Sequence, residues 1–488
     1  MQVMIKKSYK FNMILNAVKG LMGILFPLIS FPYVSRVLGV ENLGKFNFAN
    51  SIVSYFILAA NLGIIPYAIR ECAKVRENRK KVDELASDIF TVNLISALLS
   101  VFLLIITGLC VRKLDDYRAI IIILAMQIPL NLIGVEWVFS AFEDFFYITI
   151  RSILCQFMSL ILLLVFVKNE NSLISYSVIT VVSAAGVNIL NWNYAKKYAD
   201  IHIRISDDLK KHTKPILLLF AMTVAGTIYS STDMTILGFM CDDIIVGWYS
   251  VSTKVYAVVK TVVSSIIVVS IPRLSAILGE KNKEKFSTTV QEINNILMTF
   301  VMPAMVGIVL LRKDLILLIA GEEYVNAETS LLILSVSLFF ALGSYFWGQA
   351  VLIPLGKDKF VFEVTAVFAV VNFTLNILMI PVFQESAAAF TTLIAEMGSF
   401  FAYKYKAKQY VEEIKDTSII KKIVMGCTWI VICNRVILFL LGDTIVYVMG
   451  TIALSVAGYF LIEYLMKNSV IVDTVSNVMK KISFVKHK

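Results

Sequence analysis

About fourteen apolar blocks, each about 20 residues or more, follow one another from residue 11 to residue 466. A run of this length and polarity crosses a bilayer as an α-helix. Inside hydrocarbon every backbone amide must be satisfied within its own segment or within a closed barrel. Barrel strands would read as short alternating stretches, whereas these runs are solidly apolar. The blocks fall at about 11–35, 46–69, 87–110, 118–142, 146–167, 173–194, 214–238, 244–271, 290–311, 328–353, 360–381, 386–405, 420–441 and 443–466. The chain is therefore expected to be an all-α integral membrane protein of about 14 transmembrane helices. The stretch 312–326, with its short apolar run LILLIA, is too short to span and reads as interfacial or re-entrant.

Composition agrees. Only 16% of the 488 residues are charged and 58% are hydrophobic, where a soluble domain carries roughly 25% charged residues. No polar stretch is long enough for a soluble domain. A net charge of +10 would raise nucleic acid for a soluble protein, but here its distribution points to topology. With the N-terminus inside and spans alternating, about 32 Lys and Arg fall on the inner side and about 8 on the outer. The bias predicts both termini in the cytoplasm, some affinity for anionic lipid headgroups, and no nucleic-acid partner. The six Cys form no CxxC pair, and the three His lie in polar segments. These read as buried small hydrophobes and loop residues, with no metal site.

Residues 38–49, LGVENLGKFNFA, resemble residues 237–252, LGFMCDDIIVGWYSVS. Each has Leu-Gly at the end of a span, a short turn, a Gly, and two aromatics that open the next span. Six spans separate the copies, so the repeat runs parallel, with its axis along the membrane normal. The organisation expected is an N-lobe (1–205, spans one to six), a C-lobe (206–410, spans seven to twelve), and a C-terminal helix pair with its tail (411–488). Two lobes related in this way place a cavity between them.

Polar stripes recur on the first two helices of each lobe. They comprise Asn12, Asn16, Lys19, Gly23 and Ser30; Asn47, Asn50, Ser54 and Asn61; Thr223, Gly226, Ser230 and Asp233; and Ser250, Lys254, Thr261 and Ser264, widened by Lys260. Small and amide residues commonly mediate helix packing in membranes. The cations ask for more, since a mid-helix Lys costs about 2.5–3.5 kcal/mol on insertion scales. Lys19 can snorkel toward the inner interface or face a cavity. Lys254 and Lys260 lean outward from mid-helix, so they either pair with Asp233 or face a wet cavity, and the cavity is the favoured reading. Arg435 on span thirteen joins them as a cavity cation. Asn16, Asn47, Asn50 and Ser230 are the polar lining, and Asp233 and Glu396 are the candidates for H+ or Na+ coupling. Glu136, Glu363 and Glu463 complete the intramembrane carboxylates. Arg151 and Glu463 sit close enough to span ends to be solvated.

Three stretches resemble the Wzx-type polysaccharide or O-antigen flippases. They are FPYVSRVLGVENLGKFNFANSIVSYFILAANLGIIPYAIRECAKVREN; STDMTILGFMCDDIIVGWYSVSTKVYAVVK followed by SIPRLS; and EWVFSAFEDFFYITIRS. The likeness covers most of residues 5–410. It implies a MATE-like fold of two pseudo-symmetric six-helix lobes plus two C-terminal helices. It also implies alternating-access transfer of an undecaprenyl-pyrophosphate-linked oligosaccharide repeat unit to the outer leaflet, for O-antigen, capsule or exopolysaccharide synthesis. The implied setting is a bacterial inner membrane. The implied partners are the lipid-linked oligosaccharide and membrane lipids, with a polysaccharide polymerase and a chain-length regulator as candidates. No cofactor is expected beyond a coupling ion. The chain is read as a transporter and not an enzyme. A MATE-like drug antiporter is the first alternative, although its cavity would favour carboxylates. A membrane polymerase or ligase is the second, and it would show large outer loops or a Gly-rich phosphate loop. A channel would show a repeated filter motif.

Overall fold

A computed structural model describes residues 9–206, 209–280, 282–411, 418–442, 445–473 and 476, with some side chains near the start of the chain and in the middle of the seventh span left undescribed. The described residues form helices joined by short turns. Contacts divide the chain into two units, Met1–Ser250 and Val251–Lys488, and each is described by itself.

In the first unit, α1 (Tyr9–Asn61) holds two passes. The chain turns at Gly39, whose φ of 73° and ψ of 170° suit a residue without Cβ. Then come α2 (Ile64–Val75) and α3 (Arg79–Cys110), the latter capped by Asn78, whose side chain accepts from the Lys81 amide. The fourth pass is broken into α4 (Arg118–Ala125), α5 (Gln127–Gly134) and α6 (Glu136–Ala141). α7 (Phe145–Phe166) follows. The sixth pass is α8 (Leu173–Val181), a π-turn at Val182–Gly186, and α9 (Asn188–Ala195). α10 (Leu209–Met240) and the start of α11 (Asp243–Gly279) complete the unit.

Two features fix this unit. First, the two similar stretches pack on each other through their glycines. Gly44 lies against the Asp243 carbonyl and Gly247, Gly247 against the Val40 carbonyl, and Gly238 against the Phe48 ring. Backbones approach this closely only where no Cβ intervenes. Second, residues 200–206 run extended along α3. The amides of Asp200, His202 and Arg204 donate to Asp83 Oδ1 (2.7 Å), Ser87 Oγ (3.2 Å) and Thr91 Oγ1 (3.0 Å). Alternate residues of an extended chain, spaced about 6.6 Å, match every fourth residue of a helix, spaced about 6 Å. Ser206 Oγ then donates to Asp88 Oδ1 at 2.9 Å. His212 in the first turns of α10 shares a 2.6 Å hydrogen bond with the Tyr67 hydroxyl.

The second unit continues α11 and adds α12 (Lys283–Ile319), α13 (Glu328–Tyr345) with a π-segment at Phe346–Leu352, α14 (Asp358–Ala407), α15 (Ser418–Leu441) and α16 (Ile445–Leu465). The stretch read as interfacial or re-entrant is not separate: α12 runs unbroken through it to Ile319 and ends before Gly321 (φ 100°). An Arg312–Glu328 ion pair of 2.7 Å then ties α12 to the start of α13. α14 holds two passes broken at Gln384, three residues after Pro381. Eleven described stretches are long and apolar enough to cross a membrane. Those built on α1 and α14 each hold two passes, and α10 adds one more by its sequence, which gives fourteen.

Glu463 corrects the sequence reading. It is fully buried. The chain reverses at Lys467 (φ 55°), so Asn468 folds back over the helix end. Asn468 donates its amide to the Glu463 carbonyl (2.9 Å) and its Nδ2 to Glu463 Oε2 (2.5 Å).

Candidate functional site

Among the described residues, ion clusters within the spans form in each unit. In the first, Val135 adopts a left-handed conformation (φ 35°) that ends α5 and lets Glu136 open α6. Gly134 leaves room there for the Asn188 side chain. The break aims the Glu136 carboxylate at two cations. Lys19 Nζ donates to Oε1 at 2.7 Å, and Arg151 Nη2 donates to Oε2 at 2.5 Å. Arg151 Nη1 also donates to Asn191 Oδ1. A run of amides extends from there: Asn191 Nδ2 donates to Asn188 Oδ1 (3.1 Å), and Asn188 Nδ2 to Asn131 Oδ1 (3.1 Å). The guanidinium also faces the Tyr147 ring at 5.5 Å. Arg151 is 6% exposed, Lys19 34% and Glu136 37%. Two cations share one carboxylate, so the cluster keeps a net charge of one proton-equivalent inside apolar spans.

In the second unit, Lys260 Nζ donates to Glu396 Oε1 (3.1 Å) and to the Tyr256 hydroxyl (3.3 Å). Ser344 Oγ donates to Glu396 Oε2 at 2.8 Å. Glu396 is 6% exposed and Lys260 33%. This pair is electrically balanced.

The expected site residues therefore divide. Lys19 is paired with Glu136. The carboxylate that pairs with Lys260 is Glu396 rather than Asp233. Lys254 is half-buried, and Asp233 is buried and accepts from the Tyr249 hydroxyl at 2.9 Å. Asn47 donates to its own helix at Leu43 O (2.8 Å), and Asn50 is half-buried. Arg435 is exposed on the α15 face that also carries Val431, Ile432, Val436 and Phe439, and it joins neither cluster. The side chains of Asn16 and Ser230 lie outside the described residues.

Arg151 is the largest correction. Read as solvated at a span end, it is instead buried at the centre of the first cluster. The signal for it was present as three amides, Asn131, Asn188 and Asn191, set into apolar blocks. Among the described residues, no group of three His, Cys, Asp or Glu could hold a metal ion.

Known proteins resemble the chain in both sequence and fold. It is 24% identical over 399 residues to a "Putative O-antigen transporter" of Escherichia coli (strain K12), covering 80% of this chain and 94% of that one. It is 21% identical over 410 residues to the "Capsular polysaccharide biosynthesis protein CapF" of Staphylococcus aureus, covering 83% and 99%. In fold it is similar to the lipid II flippase MurJ in an inward closed conformation, with a TM-score of 0.77 at 13% identity over 94% of this chain and 99% of that one. An inward-facing multidrug resistance MATE family transporter superposes at a TM-score of 0.59, 15% identity, over 81% and 98%. The fold expected from the sequence is thus the one observed. Residues 10–278 match the family described as "Polysaccharide biosynthesis protein", and the chain belongs to that family.

Proposed function

We propose that the protein is a flippase that carries an undecaprenyl-pyrophosphate-linked oligosaccharide repeat unit from the cytoplasmic to the outer leaflet by alternating access. The family and the transporters among its relatives support a flippase. The observation that carries the substrate class is the first cluster: among the described residues, Lys19 and Arg151 share one carboxylate, Glu136. A residual positive charge within apolar spans costs about 2.5–3.5 kcal/mol on insertion scales. A phosphate oxygen about 4 Å from such a cation gains roughly 4 kcal/mol at an effective dielectric near 20. An anionic passenger offsets the cost, whereas a cationic drug adds to it.

In this reading the sugar and pyrophosphate enter a cavity between two lobes (residues 1–205 and 206–410) while the polyprenyl tail stays in lipid. Lys254 and Lys260 contact the pyrophosphate, and Lys19 assists where it enters. Lys260 does so by exchanging the Glu396 carboxylate for a phosphate oxygen, and Glu396 or Asp233 then takes up the coupling H+ or Na+. The protein sits in a bacterial inner membrane with both termini cytoplasmic. It hands its cargo to a polysaccharide polymerase and its chain-length regulator, and it performs no covalent chemistry.

The test has two arms. Deleting the gene should leave a lipid-linked oligosaccharide accumulating on the cytoplasmic leaflet. The Lys254→Ala/Lys260→Ala variant should reach the membrane yet restore no surface polymer. Normal surface polysaccharide in that variant would remove both lysines from the mechanism.

A further inference from the structure

The α15–α16 pair carries a polar seam that the substrate reading does not use. Tyr447, Thr451, Ser455, Tyr459 and Glu463 recur at every fourth residue of α16, and all five are buried. At ~1.5 Å per residue the series covers about 24 Å, most of a hydrocarbon core about 30 Å thick. At one end Asn434 Nδ2 donates to the Tyr447 hydroxyl (2.6 Å). Nearer the other, the Tyr459 hydroxyl donates to the Thr299 carbonyl of α12 (2.8 Å).

Between and beyond these anchors lie polar atoms that nothing described pairs. Thr451 Oγ1, Ser455 Oγ and Glu463 Oε1 are enclosed and have no hydrogen-bond partner among the described residues. Many helical hydroxyls elsewhere in this unit close on a carbonyl three or four residues back, as Ser344 does on Ala341 (3.0 Å), Thr428 on Val424 (2.9 Å) and Thr299 on Asn295 (2.8 Å). Buried polar atoms are rarely left unpaired, and each one calls for an explanation.

Among the described residues, Glu463 has one donor, Asn468, for two carboxyl oxygens, and it has no exposed surface. A bare carboxylate in such a place is costly. The groups around it do little to neutralise it. Lys422 of α15 is the cation whose field reaches it, and that ammonium is already tied to the Lys467 carbonyl at 3.0 Å. The other titratable neighbours are Cys427 of α15 and Tyr459 of α16 itself. α12 presents Thr299, and the turn after α16 presents Asn468. A metal cation would need several more oxygens around Oε1, but Gly426 of α15 packs against that oxygen.

We propose that Glu463 is a proton-binding site, loaded along the hydroxyl seam of α16 and separate from the Lys19–Glu136–Arg151 and Lys260–Glu396 clusters. The step is simple: one proton adds to Oε1 of the carboxylate, giving a neutral carboxyl group, and leaves by the same seam. The proposal does not depend on which passenger the protein carries.

Infrared difference spectroscopy on the purified full-length protein in detergent tests it. The expected result is a carbonyl band of a protonated carboxyl in apolar surroundings that shifts on transfer from H2O to D2O. The band should be lost in Glu463→Gln and retained in Glu396→Gln. Should Glu463→Gln not fold, the Thr451→Val/Ser455→Ala variant should keep the band but slow its D2O shift at least tenfold. The proposal is overturned if the wild type lacks the band at every pH, if Glu463→Gln retains it, if excess Na+ abolishes it, or if the double variant exchanges at the wild-type rate.

Discussion

Replacing Glu136 by Gln should be the most damaging conservative change in the first unit, and the reason is quantitative. The substitution keeps the side-chain shape but leaves Arg151, at 6% exposure, without its counter-ion. Breaking a buried pair by removing one partner costs about 3–5 kcal/mol, because a buried charge is left uncompensated. Glu136 is itself 37% exposed, so the low end, about 3 kcal/mol, is expected. Lys19→Met should cost far less, about 1 kcal/mol or under, as for exposed pairs. Its side chain is 34% exposed and Glu136 keeps Arg151 after the change. The informative variant is Glu136→Gln/Arg151→Met, which leaves no unpaired buried charge. It should recover about 0.5–3 kcal/mol relative to the sum of the two single changes, the coupling expected of side chains in contact. Unfolding midpoints of the purified variants in one detergent, read by tryptophan fluorescence, give the ranking. The reasoning fails if Lys19→Met destabilises as much as Glu136→Gln, or if the double variant is simply additive.

Two further outcomes are expected from the packing of the first unit. Gly44→Val should lower the unfolding midpoint sharply, with a cost of about 1–3 kcal/mol or more. Its Cβ would meet the Asp243 backbone, which cannot rotate away as a side chain can; an unchanged midpoint would mean that the two backbones do not touch. Ser87→Ala/Thr91→Ala should speed tryptic cleavage after Arg204 by about tenfold, since two amide acceptors, each contributing about 0.5–1.5 kcal/mol, are removed from the extended segment. Cleavage at the wild-type rate would show that the segment is not held by α3.

What the sequence could reveal depended on how far apart the interacting parts lie. The spans were legible because lipid imposes a length and a composition on each one separately. The turn at Gly39 fell between two blocks read as 11–35 and 46–69, so even this kink left a trace. Breaks inside a pass, such as Val135 and the π-segments, left none, because the hydropathy of the block is unchanged by them. Lys19 and Lys260 were legible one at a time, but their partners were not. Lys19 and Glu136 are 117 residues apart, and Lys260 and Glu396 are 136 apart. Glu463 was misjudged for a local reason: distance from a span end suggests solvation only if the chain then leaves, and at Lys467 it turns back.

The extended segment along α3 acts as a leash on α10. With Ser206 pinned to Asp88, only three Cα steps, about 11 Å at full stretch, separate that anchor from Leu209. The foot of α10 is fastened again at His212. Sliding α10 along α3 would break both anchors, whereas a pivot about Tyr67 and Asp88, its amplitude growing toward Met240, would keep them.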